Sequence, residues 1–294
     1  VDQTPVDNQP VATPPDLPPP ADPPPSGPRW PAGGDRGSAS WLPYVLPFLV
    51  YMVVGMFEPP APDPAIALLT PEEQKFWEEG QEHTMVRLMG IRYEHYPKIY
   101  SIKIGATVLT MLLCLPGYWK FPFRISGLAI LVGVVGVVLW IALCSLHLEP
   151  KILGPMGLMS VENLGDRPAF NPFEQLAGDK TWMVTFLAIR FLGLALIVPI
   201  IEEFFLRGFL MRFVMDADWW EIPFGHVNML AIIAGTAVPM LMHPGELFAS
   251  FVWFSMVTWL MVRTRNIWDC VAAHVVTNLL LGIYVVTTGN WWLW

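Results

Sequence analysis

Glu202 and Glu203 stand side by side, with Arg207 four residues on, in a stretch that is otherwise apolar from Trp182 to Met215. One charge in such a stretch costs about 2.5 to 3.5 kcal/mol on insertion scales, so all three residues need partners and a purpose. On a helix Glu203 and Arg207 share a face and can pair, whereas Glu202 points about 100° away. One carboxylate is then neutralised, and the other is free to act as a general base toward water. The competing account is a buried ionic lock between helices in which all three residues are structural.

Two later segments carry matching parts. His274 and Asn278 lie one helical turn apart, so both can project into one space. A histidine can orient a water or carry a proton, and an asparagine can donate to a developing oxyanion. Taken alone, such a pair more often just bonds neighbouring helices. His243 precedes Pro244-Gly245, a helix-breaking dipeptide that frees backbone groups inside a protected cavity. Together, Glu202, His243, His274 and Asn278 supply water activation, orientation and oxyanion stabilisation, the needs of amide hydrolysis.

The elements that must bring these residues together are membrane helices. Apolar residues make up 54% of the 294 positions and charged ones 14%, in blocks near the 20 residues needed to cross a bilayer. The expected fold is an all-α polytopic integral membrane protein, a bundle of about seven to eight transmembrane helices. Seven spans can be delimited, at about 41–57, 101–118, 125–146, 182–213, 227–242, 247–262 and 267–287. As one helix, 182–213 would be about 48 Å long, so it must tilt, break or project from the bilayer.

Residues 1–40 are dense in proline, including Pro18-Pro19-Pro20 and Pro23-Pro24-Pro25, and read as a disordered tail ahead of a helical membrane domain over 41–294. A solvated spacer is the commoner use of such a tail, and a polyproline ligand the rarer. An extramembrane loop over about 58–97 should contain a helix opened by Thr70-Pro71-Glu72-Glu73. The basic residues Lys120, Arg124, Arg212, Arg263 and Arg265 fall on the side of the amino terminus if seven spans alternate, which favours a cytoplasmic amino terminus. The net charge of −8 leaves no basic face for nucleic acid. Cys114, Cys144 and Cys270 show no metal or disulfide spacing. A thiol enzyme using Cys270 with His274 is disfavoured by Asp269 alongside, since no positive charge is near to form the thiolate.

The set Glu202-Glu203-x-x-x-Arg207, His243 and His274-x-x-x-Asn278 resembles the three-motif pattern of the CPBP (CAAX protease and bacteriocin-processing, or Abi) intramembrane endopeptidases. The resemblance covers about 182–290. One departure is Pro239, which stands four residues before His243 where the pattern usually has Phe. The run Arg263–Tyr284, the ending Gly289–Trp294 and the pair Tyr96-Pro97 are similar to the CAAX-related proteins that accompany exosortase and PEP-CTERM sorting. The resemblance implies that Glu202 and His243 activate water, that His274 and Asn278 hold the oxyanion, and that Glu203 and Arg207 help build the site. It implies a membrane-associated protein or peptide substrate, partners in an exosortase system, and a bacterial inner membrane location. Metal use stays open between none and zinc, for which Glu202, His243 and His274 would be the ligands. Two other classes remain: a non-catalytic membrane scaffold or immunity factor on the same fold, and a proton-coupled transporter. The second is lowered by the lack of an evident internal repeat.

Overall fold

Seven helices account for most of the structure, a computed structural model that describes residues 41–59, 89–156 and 169–294. They are α1 (Leu42–Gly55), α2 (Tyr96–Leu113), α3 (Gly127–Ser145), α4 (Lys180–Phe213), α5 (Met229–Met242), α6 (Leu247–Thr264) and α7 (Ile267–Thr288). All of them lie in the unit Asp35–Trp294. No strand occurs among the described residues. The proline-rich tail and the helix expected after Thr70 fall outside them.

The helix starts follow from local chemistry. Ser126, Asp179, Asn228 and Asn266 each accept a hydrogen bond from a first-turn amide, at 3.2, 2.9, 2.9 and 3.2 Å respectively. Pro43 and Pro97 occupy first-turn positions of α1 and α2, where the missing N–H costs nothing. Gly289, at φ 77°, ends α7 in the left-handed conformation that glycine adopts without strain.

Every expected span is a helix, but they differ as candidates for crossing a membrane. Four are long and apolar enough: Gly127–Ser145, Lys180–Phe213, Pro244–Thr264 and Ile267–Thr288. Leu42–Gly55 and Met229–Met242 are apolar but shorter. Tyr96–Leu113 carries Lys98 and Lys103, and Lys103 is buried in an ion pair with Glu58 at 2.6 Å.

Helices α3, α6 and α7 pack closely because two glycines of α3 face the others. A Cβ on Gly133 would lie 2.7 Å from the Ala273 carbonyl oxygen and 2.7 Å from Val276. A Cβ on Gly136 would collide with the Trp253 ring of α6. Thr277 Oγ1 donates to the Gly133 carbonyl at 2.8 Å, which locks the approach. This contact places the middle of α7, with His274, against the bundle interior.

Helix α4 is not regular. It widens into π turns at Gly193–Ile197 and Phe204–Leu210, on either side of an α-helical turn Val198–Glu203. Pro199 explains the first widening, since its ring cannot fit against the carbonyl four residues back and it brings no N–H. The carboxylate pair ends the regular turn between two wide ones, a placement often found at functional sites.

Candidate active site

The site is built on α4 and α7, with α5 and α6 closing it. Glu203 and Arg207 pair as their spacing predicts: Arg207 Nη1 donates to Glu203 Oε1 at 3.2 Å and lies 3.1 Å from Oε2. Neither side chain is exposed at all. Arg207 Nη2 also donates to the Phe254 carbonyl at 3.3 Å, and its guanidinium sits 5.4 Å over the Phe254 ring. A charge removed from water this fully needs such partners.

Glu203 does more than neutralise Arg207. Its Oε1 also accepts from His274 Nδ1 at 3.0 Å, which fixes the tautomer and turns the ring so that Nε2 points toward the neighbouring carboxylate. His274 Nε2 lies 4.0 Å from Glu202 Oε2. The imidazole therefore stands between the two glutamates, bonded to one and facing the other. Among the described residues no group hydrogen-bonds the Glu202 carboxylate, although the residue is buried.

His243 ends α5, and the helix runs through Pro239 without a break. The last turn tightens, so the His243 amide bonds Met240 O at 3.0 Å and leaves the Pro239 carbonyl open. His243 Nδ1 donates to that carbonyl at 2.8 Å, which leaves a lone pair on Nε2. The departure from the family pattern at Pro239 therefore supplies the acceptor that orients the ring. The ring packs on Trp140 and Phe254, at centroid distances of 5.8 and 5.7 Å, and Phe254 also touches His274. His274, His243, Glu203 and Arg207 all lie within electrostatic reach of Glu202.

Asn278 is placed differently. Its Nδ2 donates to the Leu194 carbonyl at 2.8 Å, in the first π turn of α4. In that turn the Val198 amide bonds Gly193 O. The donor for Leu194 O in the same register would be residue 199, a proline. Asn278 thus satisfies a carbonyl that Pro199 leaves open, and it keeps a second amide N–H. Cys270 turns away from the site toward its own helix, with Sγ 3.7 Å from Asn266 O.

The residues present do not fit a zinc ion. Donors about 2 Å from zinc stand roughly 3.3 Å apart, less than the 4.0 Å between Glu202 and His274. Among the described residues no three His, Cys, Asp or Glu side chains gather as a metal-holding group. Sequence reasoning missed Phe254, which supplies a carbonyl to Arg207 and a ring to both histidines, and no local signal marks it. It also missed the Glu203–His274 bond. The link from Asn278 to α4 had one legible sign, the proline at 199 inside a long apolar helix.

Fold and site define a class: an all-helical protein with helices able to cross a bilayer and, between them, a buried cluster of two carboxylates, two imidazoles and a guanidinium. Residues 184–280 match the family described as Type II CAAX prenyl endopeptidase Rce1-like, which takes in α4 to most of α7 and every residue of this cluster. At the level of that family the chemistry is that of a CAAX protease, a hydrolase. The chain matches no curated protein and no solved structure.

Proposed function

We propose that the chain is an intramembrane endopeptidase that hydrolyses a peptide bond in a membrane-associated protein or peptide, with Glu202 as the base that activates water. One observation carries this reading: the Glu202 carboxylate is enclosed, accepts no hydrogen bond among the described residues, and faces an imidazole nitrogen 4.0 Å away. A water about 2.8 Å from both atoms would be gripped at an angle of about 90°, within the range for two hydrogen bonds.

In the proposed reaction the water oxygen bonds to the substrate carbonyl carbon as its proton passes to Glu202. The carbon–nitrogen bond then breaks, and Glu202 returns the proton to the departing amine. His274, held by Glu203 and Arg207, and His243, held by Pro239 O, present Nε2 to the water. This moves His274 to the water, away from the oxyanion role that the motif pattern implies. The second N–H of Asn278 is assigned to the developing oxyanion.

We further infer that all seven helices cross a bacterial inner membrane, and that the protein acts with an exosortase-type sorting system. The Arg263–Tyr284 run and the Gly289–Trp294 ending support that link. The test is a comparison of new protein termini in membranes of cells carrying the wild type or Glu202→Gln. Cleavage products should appear only with the wild type. Normal complementation of a deletion strain by a Glu202→Ala/His274→Ala chain would instead point to a scaffold.

A further inference from the structure

A cavity of about 560 Å³ lies behind the carboxylates. One wall is Ile200, two residues before Glu202 on the α-helical turn of α4, and two residues rotate a helix by about 200°. The cavity and the Glu202 side chain therefore occupy opposite faces of α4. Its other walls include Met111 and Leu115 near the end of α2, Trp119 and Phe123 in the connection to α3, and Trp268 at the start of α7. The lining is apolar.

The rim is basic. Lys120 and Arg124 alternate with wall residues along the connection, and both are exposed. Arg263 and Arg265 are exposed in and beside the α6–α7 connection. The two connections are tied together, with Asn266 Nδ2 donating to Arg124 O at 2.8 Å and Trp268 Nε1 to Phe121 O at 3.1 Å. The neighbouring acid Asp269 is buried and accepts the Ser126 amide at 2.7 Å, so it does not offset the rim. Trp119 and Phe123 are 74% and 70% exposed. Large aromatic rings beside cations at helix ends are the composition of a bilayer interface.

We propose that this cavity seats one acyl chain of an anionic phospholipid, with the headgroup phosphate on Lys120 and Arg124. An apolar hollow at membrane depth offers water no partners, and a hydrocarbon chain fills it without desolvating a polar group. The charges decide the headgroup: two cations at the rim favour an anionic lipid over a zwitterionic one by on the order of tenfold. The chain packs on Ile200 and so braces α4 from the face opposite its carboxylates. This proposal stands independently of the catalytic reading.

Native mass spectrometry of the full chain in dodecyl maltoside, titrated with phosphatidylglycerol or with phosphatidylcholine of the same acyl chains, tests it. One phosphatidylglycerol per chain should bind, about tenfold more tightly than phosphatidylcholine. The exposed pair Lys120→Gln/Arg124→Gln should abolish that preference while leaving lipid binding itself. Leu115→Trp, which fills the cavity, should lower the occupancy of both lipids, and Met111→Trp serves if Leu115→Trp fails to fold. Equal binding of the two lipids, uptake without saturation at one, or a preference that survives the double substitution would overturn the proposal. So would unchanged occupancy in a folded cavity-filling variant.

Discussion

Removing the Asn278 amide should destabilise the bundle only as long as residue 199 is proline. The Leu194 carbonyl has its donor at position 199 in the π register, Pro199 has no N–H, and Asn278 Nδ2 occupies the vacancy at 2.8 Å. An unpaired buried carbonyl costs about 1–3 kcal/mol in proteins generally, whereas side-chain hydrogen bonds between membrane helices average about 0.6 and reach about 1.7 kcal/mol. The second range governs here, because Asn278 is half-buried, so Asn278→Ala should cost about 0.6–1.7 kcal/mol. Pro199→Ala restores an N–H to that turn, and in its background the same change should cost less than about 0.5 kcal/mol. Unfolding of the four proteins in mixed micelles, followed by circular dichroism, gives the coupling. An equal cost in both backgrounds would refute the reasoning. The four proteins also separate the two roles of Asn278, because a lost oxyanion donor lowers turnover about 10²–10³-fold whichever residue stands at 199.

Glu202→Gln should reduce cleavage by about 10²–10⁴-fold with stability unchanged within about 0.5 kcal/mol, read by a termini assay beside a melting curve. Glu203→Ala strands the buried Arg207 guanidinium and frees the His274 ring, so it should cost about 3–5 kcal/mol as well as activity; a stable, active variant would contradict the pairing. Gly133→Ala pushes a methyl against the Ala273 carbonyl next to His274, and should cost about 1–3 kcal/mol in thermal unfolding. Incubation with 1,10-phenanthroline should leave cleavage unchanged, because the donors stand too far apart for zinc. A loss restored by added zinc would reverse that view.

The helices were legible because membrane spans announce themselves by length and apolarity, and because Ser126, Asp179, Asn228 and Asn266 mark their starts. The pairing of Glu203 with Arg207 was legible for a similar reason, since spacing on one helix sets it. The arrangement of the site was less so. That His274 bonds Glu203 depends on how α7 sits against α4, which rests in part on Gly133 meeting Ala273 across the interface. Nothing within either segment encodes that contact. The π turns are hidden for another reason: they change the count of residues per turn without changing apolarity, so a hydropathy pattern runs through them unaltered. Pro199 was visible, but the bond it opens belongs to a residue 84 positions away.

The two wide turns of α4 make its length matter as much as its composition. Each accommodates one residue more than a regular turn, so deleting a single residue between Gly193 and Ile197 would let the helix close up and swing its upstream half by about 100° relative to the glutamates. The Arg190 end and the carboxylate end would then face different neighbours, though every remaining side chain was kept. Relatives sharing this architecture should tolerate many substitutions along 193–210 yet show no gap there, and a gapped homologue would mark a differently aimed site.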